Sequence, residues 1–517
     1  MMMAGGDGIL YFEVISLGRT VVLSKTNATL DISISSGSWD LVAHDYKPFH
    51  TKTLKMVKSF GDFVIFLPRG NLSGKIKVMK IIDSIRFDDN IRMAFVGAGG
   101  KTTAIFRLAR QMAGRVLVTT STHLGVGQVE LADYHYVIQS GEDLSPLKEG
   151  LGDGVTLVTG PGGKDGRVAG LSFELLAVLN SIAHSQKSPL LIEADGCRRR
   201  PLKAPAEHEP AIPDFVNTVV VAAGFSGLGK PLNEKWVHRP ERFGLLSGLE
   251  KGKEITPHDL VKVLRHPSGG MKNIPDGARK VVLLNQVDTP EQAGLAKGMA
   301  RALLREYESV VVASLLKLED EVSAVHTNVA GVVLAAGESQ RIGKPKQLLE
   351  WRGQPFVSIV TEIALRAELD PVVVVTGAYH EEVKGALGEM AVDVVYNPEW
   401  KKGQSTSVRT GLAALPEGTG AVVFLLVDQP KIPVKLVETL VETHARTMSP
   451  VVAPMIGGRR GNPVLFDRIT FPDFADIEGD AGGRQLFSKY EPIWVPWVDD
   501  SVDLDVDTLE DYKRLVE

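Results

Sequence analysis

Cysteine is almost missing: Cys197 is the one cysteine among 517 residues. No internal disulfide can form, and a zinc or iron–sulfur site held by several thiolates is excluded. Long apolar runs are missing too. No stretch reaches the roughly 18 apolar residues that would suggest a membrane span. There is no strong excess of charge: 58 Lys and Arg stand against 63 Asp and Glu, a net charge of -5. With a pI near 6.2, nucleic acid is not expected as the main partner. The opening MMMAGGDGILYFEV lacks the basic start and clean apolar core of a signal peptide. These absences lead to an expectation of a cytoplasmic protein in a reducing compartment, without a membrane partner.

Glycine and short apolar runs are plentiful. The chain has 52 glycines and is 44% hydrophobic, which rules out disorder as its main state. At about 150 residues per domain, its length suggests roughly three domains. β-branched runs recur at 115–120, 190–193, 218–222, 281–284 and 310–313, and again at 331–336, 372–376 and 422–427, with helical stretches between them. Uninterrupted apolar runs fit strands buried on both faces, and their alternation with helices predicts α/β architecture. The expected fold is two doubly wound, mainly parallel-sheet domains, the first P-loop-like and the second Rossmann-like. The expected divisions are 1–85, 86–325 and 328–517, with the seam in the polar stretch Ser323-Ala-Val-His-Thr-Asn328. Residues 1–85 show alternating patterns such as Thr29-Leu-Asp-Ile-Ser-Ile34. They read either as a small β-rich module or as an extension of little function, with Met79 an alternative start.

The strand-like Ile91-Arg-Met-Ala-Phe-Val96 runs into Gly97-Ala-Gly-Gly-Lys-Thr-Thr103 and then into a helical pattern. Gly97, Gly99 and Gly100 let backbone N–H groups curl around a phosphate, and the helix N-terminus adds positive potential. Lys101 would reach the outer phosphates, and Thr102 could hold Mg²⁺. The spacing is shorter than GxxxxGK[ST] and is similar to the GxxGKT loop of Mur-type ligases. Glu193 and Asp195 end an apolar strand, and Asp195 is a candidate Mg²⁺ ligand. The basic run Cys197-Arg-Arg-Arg-Pro-Leu-Lys203 suits an anionic ligand. Leu283-Leu-Asn-Gln-Val-Asp288 is similar to the NKxD strand end with which GTPases read guanine, with Gln286 in place of lysine. His123, Glu207, His208, Glu209 and His238 form a candidate polar wall, and each reads equally as a hydrogen-bonded structural residue.

GAGGKTT, TTSTHL at 119–124, EADGCRRRPLKAPAEHEP at 193–210 and VHRPE at 237–241 resemble the YqeC family of selenium-dependent hydroxylase accessory proteins. The resemblance covers roughly 90–320 and implies a pathway more than a reaction. The residues themselves suggest a nucleotide-binding or NTP-hydrolysing domain taking ATP or GTP.

In the second half, Val332-Val-Leu-Ala-Ala-Gly337 runs into Glu338-Ser-Gln-Arg-Ile-Gly-Lys-Pro-Lys-Gln-Leu-Leu349. Ala335, Ala336 and Gly337 keep side chains clear of a nucleotide, and Ser339 suits a phosphate oxygen. Arg341 and Lys346 can neutralise a triphosphate and the departing pyrophosphate. Asp428, at the end of Leu425-Leu-Val-Asp428, is placed to hold Mg²⁺ bridging the α-phosphate and the acceptor. Asp503-Leu-Asp-Val-Asp-Thr-Leu-Glu-Asp-Tyr512 offers a second metal-binding carboxylate, Asp505, with Asp507 or Thr508 capping the last helix.

LAAGESQRIGKPKQLL, NPEWKKGQSTSVRTGL at 397–412, VDQP at 427–430, GRRGNPVLF at 458–466, EGDAGGRQLF at 478–487 and DLDVDTLEDY at 503–512 together resemble the MobA-like nucleotidyltransferases, and among them the molybdenum cofactor cytidylyltransferases. The resemblance implies that Gly337, Ser339, Arg341 and Lys346 bind the triphosphate, that Ser407 and Gly411 lie beside nucleotide or cofactor, and that Asp428 and Asp505 bind Mg²⁺. LAAG in place of LAGG resembles the CTP-using branch. The chain departs from the family at Asn462, where histidine is common, and at Gly483, where alanine is common.

The expected activity is transfer of CMP from CTP to molybdopterin cofactor, with pyrophosphate released. It is fused to an accessory domain for hydroxylase maturation, with molybdenum hydroxylase apo-enzymes as partners. Two alternatives stand beside it. One is a MobA-like enzyme acting on a sugar or polyol phosphate, and the other is a non-catalytic cofactor carrier or insertion chaperone.

Overall fold

The computed structural model describes residues 79–87, 90–163, 166–317, 321–338, 342, 344–480, 482–499, 502 and 504–517, and the backbone of 9–14, 19–26 and 29–34. The chain divides into two compact units, Met1–Gly74 and Lys75–Glu517. In the first unit, β1 (Ile9–Val14), β2 (Arg19–Thr26) and β3 (Thr29–Ile34) form an antiparallel meander.

The second unit holds two α/β sheets. The first is built from β4 (Arg92–Gly97), β5 (Arg115–Thr120), β6 (Tyr134–Val137), β7 (Gly154–Thr159), β8 (Leu190–Glu193), β9 (Thr218–Gly224), β10 (Arg279–Asn285), β11 (Ser309–Ala313) and β12 (Val322–Thr327). Their order is β12-β11-β10-β9-β4-β8-β5-β7-β6, and every pairing is parallel except that of β11 with β12. The central strand shows why its apolar run is continuous. Met93 and Phe95 enter the core on one face of the sheet, while Ala94 and Val96 enter the core on the other. Both faces are covered by helices, so the run from Met93 to Val96 is apolar throughout.

The second sheet comprises β13 (Val329–Ala335), β14 (Val372–Thr376), β15 (Asp393–Tyr396), β16 (Ala421–Leu426), β17 (Val451–Ile456), β18 (Arg459–Arg460), β19 (Val464–Asp467) and β20 (Ile493–Trp497). Its order is β15-β14-β13-β16-β19-β17-β18, with β20 parallel to β17. The first four strands are parallel, and β19 turns antiparallel. The doubly wound α/β expectation is borne out, with a mixed far edge on the second sheet.

The polar stretch read as a seam is itself a strand. β12 alternates buried Val322 and Val325 with exposed or half-buried neighbours. That is the pattern of an edge strand with one wet face, which resembles a linker in sequence. Asn328 alone separates it from β13.

Residues 79–85, placed by sequence in the extension, dock on the first sheet. Val322 donates to Met79 O at 3.2 Å, and Ile82 N donates to Gln111 Oε1 at 3.0 Å. Next in the chain, Arg86 ties the two sheets together. Its guanidinium donates to Gly420 O at 3.1 Å and to Asp467 Oδ2 at 2.5 Å, and Arg279 donates to its carbonyl. Buried His444 meets the same carboxylate oxygen at 2.7 Å. Removing one partner of such a pair leaves a buried charge poorly compensated. Arg86→Ala is therefore expected to destabilise the second half by roughly 3 kcal/mol. Calorimetry checks this: the variant should show a second-half transition at lower temperature, and an unchanged thermogram would count against the tie.

Candidate functional site

The first constellation lies where β4 meets α1 (Lys101–Gln111). Gly97, Gly99 and Gly100 all have positive φ, at 90°, 80° and 120°. A Cβ at Gly97 would stand 2.3 Å from Ala222 O, and one at Gly99 would stand 2.3 Å from Gly224 N. Only glycine can make this turn so close to the neighbouring strand end. The N–H groups of the first turn of α1 have no intrahelical acceptor, which leaves them for an anion.

Lys101 is buried and folds back over the loop, donating to Gly97 O at 2.9 Å. Its ammonium lies 3.2 Å from Asp195 Oδ1 and 3.7 Å from Glu193 Oε1. Burial opposes this charge, but Asp195, Cys197 and Glu193 outweigh it and raise the lysine pKa. Burial also raises the Glu193 pKa, against the pull of Lys101. Thr102 donates its hydroxyl to Glu193 Oε2 at 2.7 Å. The loop, the lysine, the threonine and the acidic strand end are thus brought together.

A second lysine, within the basic run, completes the arrangement. Lys203 touches Asp195 Oδ2 at 2.8 Å, Glu209 Oε2 at 2.7 Å and Gly196 O at 2.6 Å. Arg239 grips Glu209 through both terminal nitrogens, at 2.8 and 2.9 Å. Burial opposes the Glu209 charge, but Arg239 and Lys203 hold its pKa at about 2. Asp195 also accepts the Gly97 N–H at 2.9 Å. Both its oxygens are therefore engaged by lysines. Asp195 compensates the loop's charge in this arrangement, and the carboxylate next to the Thr102 hydroxyl is Glu193. His238 pairs in register with Lys203. Burial, and then Arg239 and Lys203, push its pKa down to about 4. His123, Glu207 and His208 are exposed and do not join the network, so the polar wall reduces to Glu209 and His238.

The second constellation lies at the end of β13. Buried Gln347 donates to Ala335 O at 2.9 Å and to Gly337 O at 2.6 Å, fixing the Ala-Ala-Gly turn. Sequence reading missed this glutamine because one amide in a loop carries no pattern. Lys346 lies 3.4 Å from Asp428 Oδ2 and also pairs with Asp507. Asp428 lies two residues beyond the end of β16. Burial raises its pKa to about 6, against the pull of Lys346 and with help from Asp505 and Asp507. Asp428 Oδ1 is buried without a hydrogen-bond partner. Gln429, also buried, donates to Asp505, and Val506 N donates to Asp428 O at 3.1 Å. The C-terminal segment is thereby pinned beside the strand end. Thr508, not Asp507, caps α4 (Leu509–Val516), in a capping box with Asp511. Asp507 serves Lys346.

Ser407 and Gly411 lie on α3 (Gln404–Ala413). Ser407 is buried and accepts from Asn397 Nδ2 at 3.0 Å. Gly411 faces the sheet, where a Cβ would meet Val332 Cγ1 at 2.5 Å. Its lack of a side chain lets α3 sit close to β13. Ser339 and Arg341 lie outside the described residues.

Among the described residues, no group of three or more His, Cys, Asp or Glu side chains is close enough to cage a metal. Mg²⁺ does not need such a cage, because it is commonly held by one or two carboxylates plus substrate phosphates and water. The orphaned Asp428 oxygen, with Asp505 nearby, fits that mode. No helix among the described residues is long and apolar enough to cross a membrane.

Comparison with known proteins agrees with this division into two sites. A model of the YqeC protein family matches residues 93–241, and a model of the MobA-like NTP transferase domain matches 331–493. YqeC of Escherichia coli (strain K12) is 34% identical over 212 residues, covering 39% of this chain and 78% of that protein. Nicotine blue oxidoreductase of Paenarthrobacter nicotinovorans is 34% identical over 199 residues, covering 36% of this chain and 96% of that protein. Purine catabolism protein PucB of Bacillus subtilis (strain 168) is 31% identical over 194 residues, covering 35% of this chain and 93% of that protein. The chain belongs to both families, carrying a YqeC region on its first α/β sheet and a MobA-like NTP transferase domain on its second.

Proposed function

We propose that the second half is a molybdenum cofactor cytidylyltransferase, moving CMP from CTP to the terminal phosphate of molybdopterin cofactor. The observation that carries this reading is the pairing at the end of β13 and β16. There a lysine and a half-buried carboxylate with one orphaned, buried oxygen face each other beside a side-chain-free turn. In the reaction, an oxygen of the pterin phosphate attacks the α-phosphorus of CTP. The bond from that phosphorus to the β-phosphate oxygen breaks, and pyrophosphate leaves. Lys346 sits where it can pass from Asp428 and Asp507 to the triphosphate, neutralising charge on the leaving group. Gln347 holds the Ala335–Gly337 turn open for the nucleotide. Asp428 and Asp505 would hold Mg²⁺, which when bound supplies charge neutralisation at the α-phosphate. Ser339 and Arg341 take their triphosphate roles from family resemblance.

For the first half we propose a nucleotide site on the glycine loop, with Lys101 and Thr102 meeting the phosphates, in an accessory step of selenium-dependent hydroxylase maturation. Hydroxylase apo-enzymes are its proposed partners. The relatives' names, from purine catabolism and nicotine blue conversion, are compatible with a chain that serves such enzymes.

The test is nucleotidyl transfer to molybdenum cofactor with Mg²⁺, comparing labelled CTP, GTP and ATP. CMP transfer with release of pyrophosphate is expected. Transfer only to a sugar or polyol phosphate would move the acceptor, and stoichiometric binding without turnover would make this half a carrier. Redox turnover without pyrophosphate would shift it to the activity in the nicotine blue relative's name.

A further inference from the structure

We propose that the glycine loop of the first sheet takes a guanosine nucleotide and that Asp288 reads its base. The inference rests on the loop being a phosphate site, and goes beyond it by assigning the base.

The topology supplies the placement. β4, β9, β10 and β11 are consecutive parallel neighbours, so their carboxyl ends lie side by side. In doubly wound sheets ligands bind along that edge. The glycine loop follows β4, and Asn285, the last residue of β10, leads into Gln286-Val-Asp288. Ser314 and Leu315 follow β11.

Asn285 ties these ends together. It is buried, donates Nδ2 to Gly99 O at 2.7 Å, and accepts from Leu315 N at 3.0 Å. The fit to the loop is tight: a Cβ at Gly100 would stand 2.3 Å from Asn285 Nδ2. One side chain therefore fixes the phosphate loop against both the 285–288 turn and the end of β11. Gln286 has a left-handed backbone, with φ of 63°, and its Oε1 accepts from Ser226 Oγ at 2.6 Å. That oxygen lies over Gly224, where a Cβ would meet it at 2.4 Å. A non-glycine residue held at positive φ beside a ligand loop is strain of the kind found at functional sites.

This turn delivers Asp288 to the surface. Its carboxylate is exposed, and Ser314 donates its hydroxyl to Oδ1. No described residue bonds Oδ2. Asp288 N donates to Gln292 Oε1 at 2.7 Å, and its carbonyl accepts from Lys317 Nζ at 2.9 Å. Backbone and one carboxylate oxygen are thus fixed while the other oxygen is presented outward. The carboxylate is not needed to cap the next helix, α2 (Pro290–Leu303). Thr289 does that, in a box with Gln292.

An oriented carboxylate on the same sheet edge as a phosphate loop suits one base in particular. Guanine offers two adjacent donors, N1–H and the 2-amino group, which match the two oxygens of a carboxylate. Adenine presents an acceptor nitrogen at the corresponding edge and is repelled. Hypoxanthine keeps N1–H but lacks the amino group, so it makes one of the two bonds.

The experiment is displacement of a fluorescent guanosine nucleotide from the full chain by GTP, ITP, XTP and ATP. Signal lost in Lys101→Ala is assigned to the glycine loop, which separates it from binding by the second half. GTP is expected to compete about tenfold to a hundredfold better than ATP, with ITP between them, as fits loss of hydrogen bonds to a charged group. Asp288→Asn should lose GTP affinity by a similar factor and gain XTP, because its amide can donate to the 2-oxo group and accept from N1–H. Asp288 is exposed, so the variant should melt with the wild type. Equal competition by GTP and ATP, or no gain of XTP in Asp288→Asn, overturns the assignment of the base. Absence of any Lys101-dependent binding overturns the phosphate-loop reading itself.

Discussion

Asp428→Asn is expected to abolish nucleotidyl transfer by the second half, lowering turnover by at least about a hundredfold, the scale seen when one preorganised electrostatic group is removed. The substitution keeps the shape and removes the charge. Asp428 O still accepts from Val506 N at 3.1 Å, so the C-terminal segment keeps its anchor. The carboxylate carries a burial cost that raises its pKa to about 6. Neutralising it costs the fold little, and the melting temperature should stay within a few degrees of the wild type. The loss should also persist at saturating Mg²⁺, since an amide cannot replace a carboxylate's charge at the metal. Transfer assays and thermal melts on the same preparation check both halves of this prediction. Full activity in a folded Asp428→Asn protein would remove Asp428 from the reaction.

Lys101→Ala is expected to remove nucleotide binding by the first half and also to weaken the fold. The two effects have separate causes. Binding fails because the loop loses the cation aimed across it. Stability falls because Glu193 stays buried after losing Lys101, while Asp195 keeps Lys203. Breaking a buried ion pair costs about 3–5 kcal/mol, which corresponds to a fall of roughly 10 °C for a unit of this size. A second change separates the causes. Glu193→Gln in the Lys101→Ala background should recover much of the melting temperature, because the charge left without a counter-ion is gone, while binding stays lost. Equilibrium binding and calorimetry on the single and double variants decide it. Wild-type nucleotide affinity in Lys101→Ala would refute the role of the loop.

Much of this architecture was legible in the sequence because strands buried on both faces leave a plain signature. Phe95, Leu191, Val333 and Leu425 sit in runs where every residue is apolar, and each is fully buried. Motifs confined to one strand end were equally legible, as with Gly97–Thr102 and Ala335–Gly337. Edge strands were not. β12 is wetted on one face, so its alternating residues resembled a connector, although they complete the first sheet.

The sites divide along the same line. The sequence alone determined two mainly parallel α/β sheets, a glycine loop with a following lysine, and acidic residues at strand ends, since each is local and carried by a few adjacent residues. Only the tertiary structure decided which charges meet. Lys203 reaches Asp195 and Glu209, Asp507 rather than Asp428 alone holds Lys346, Gln347 locks a turn 10 residues away, and Arg86 crosses to Asp467 on the other sheet. It also put Asn285 on the loop at Gly99 and Ser314 on Asp288. Long polar side chains have no periodicity, and their partners lie tens to hundreds of residues away. A charge is stable in a core only where counter-charges or hydrogen-bond partners are delivered to it from elsewhere in the chain, and that delivery belongs to the topology of the sheet.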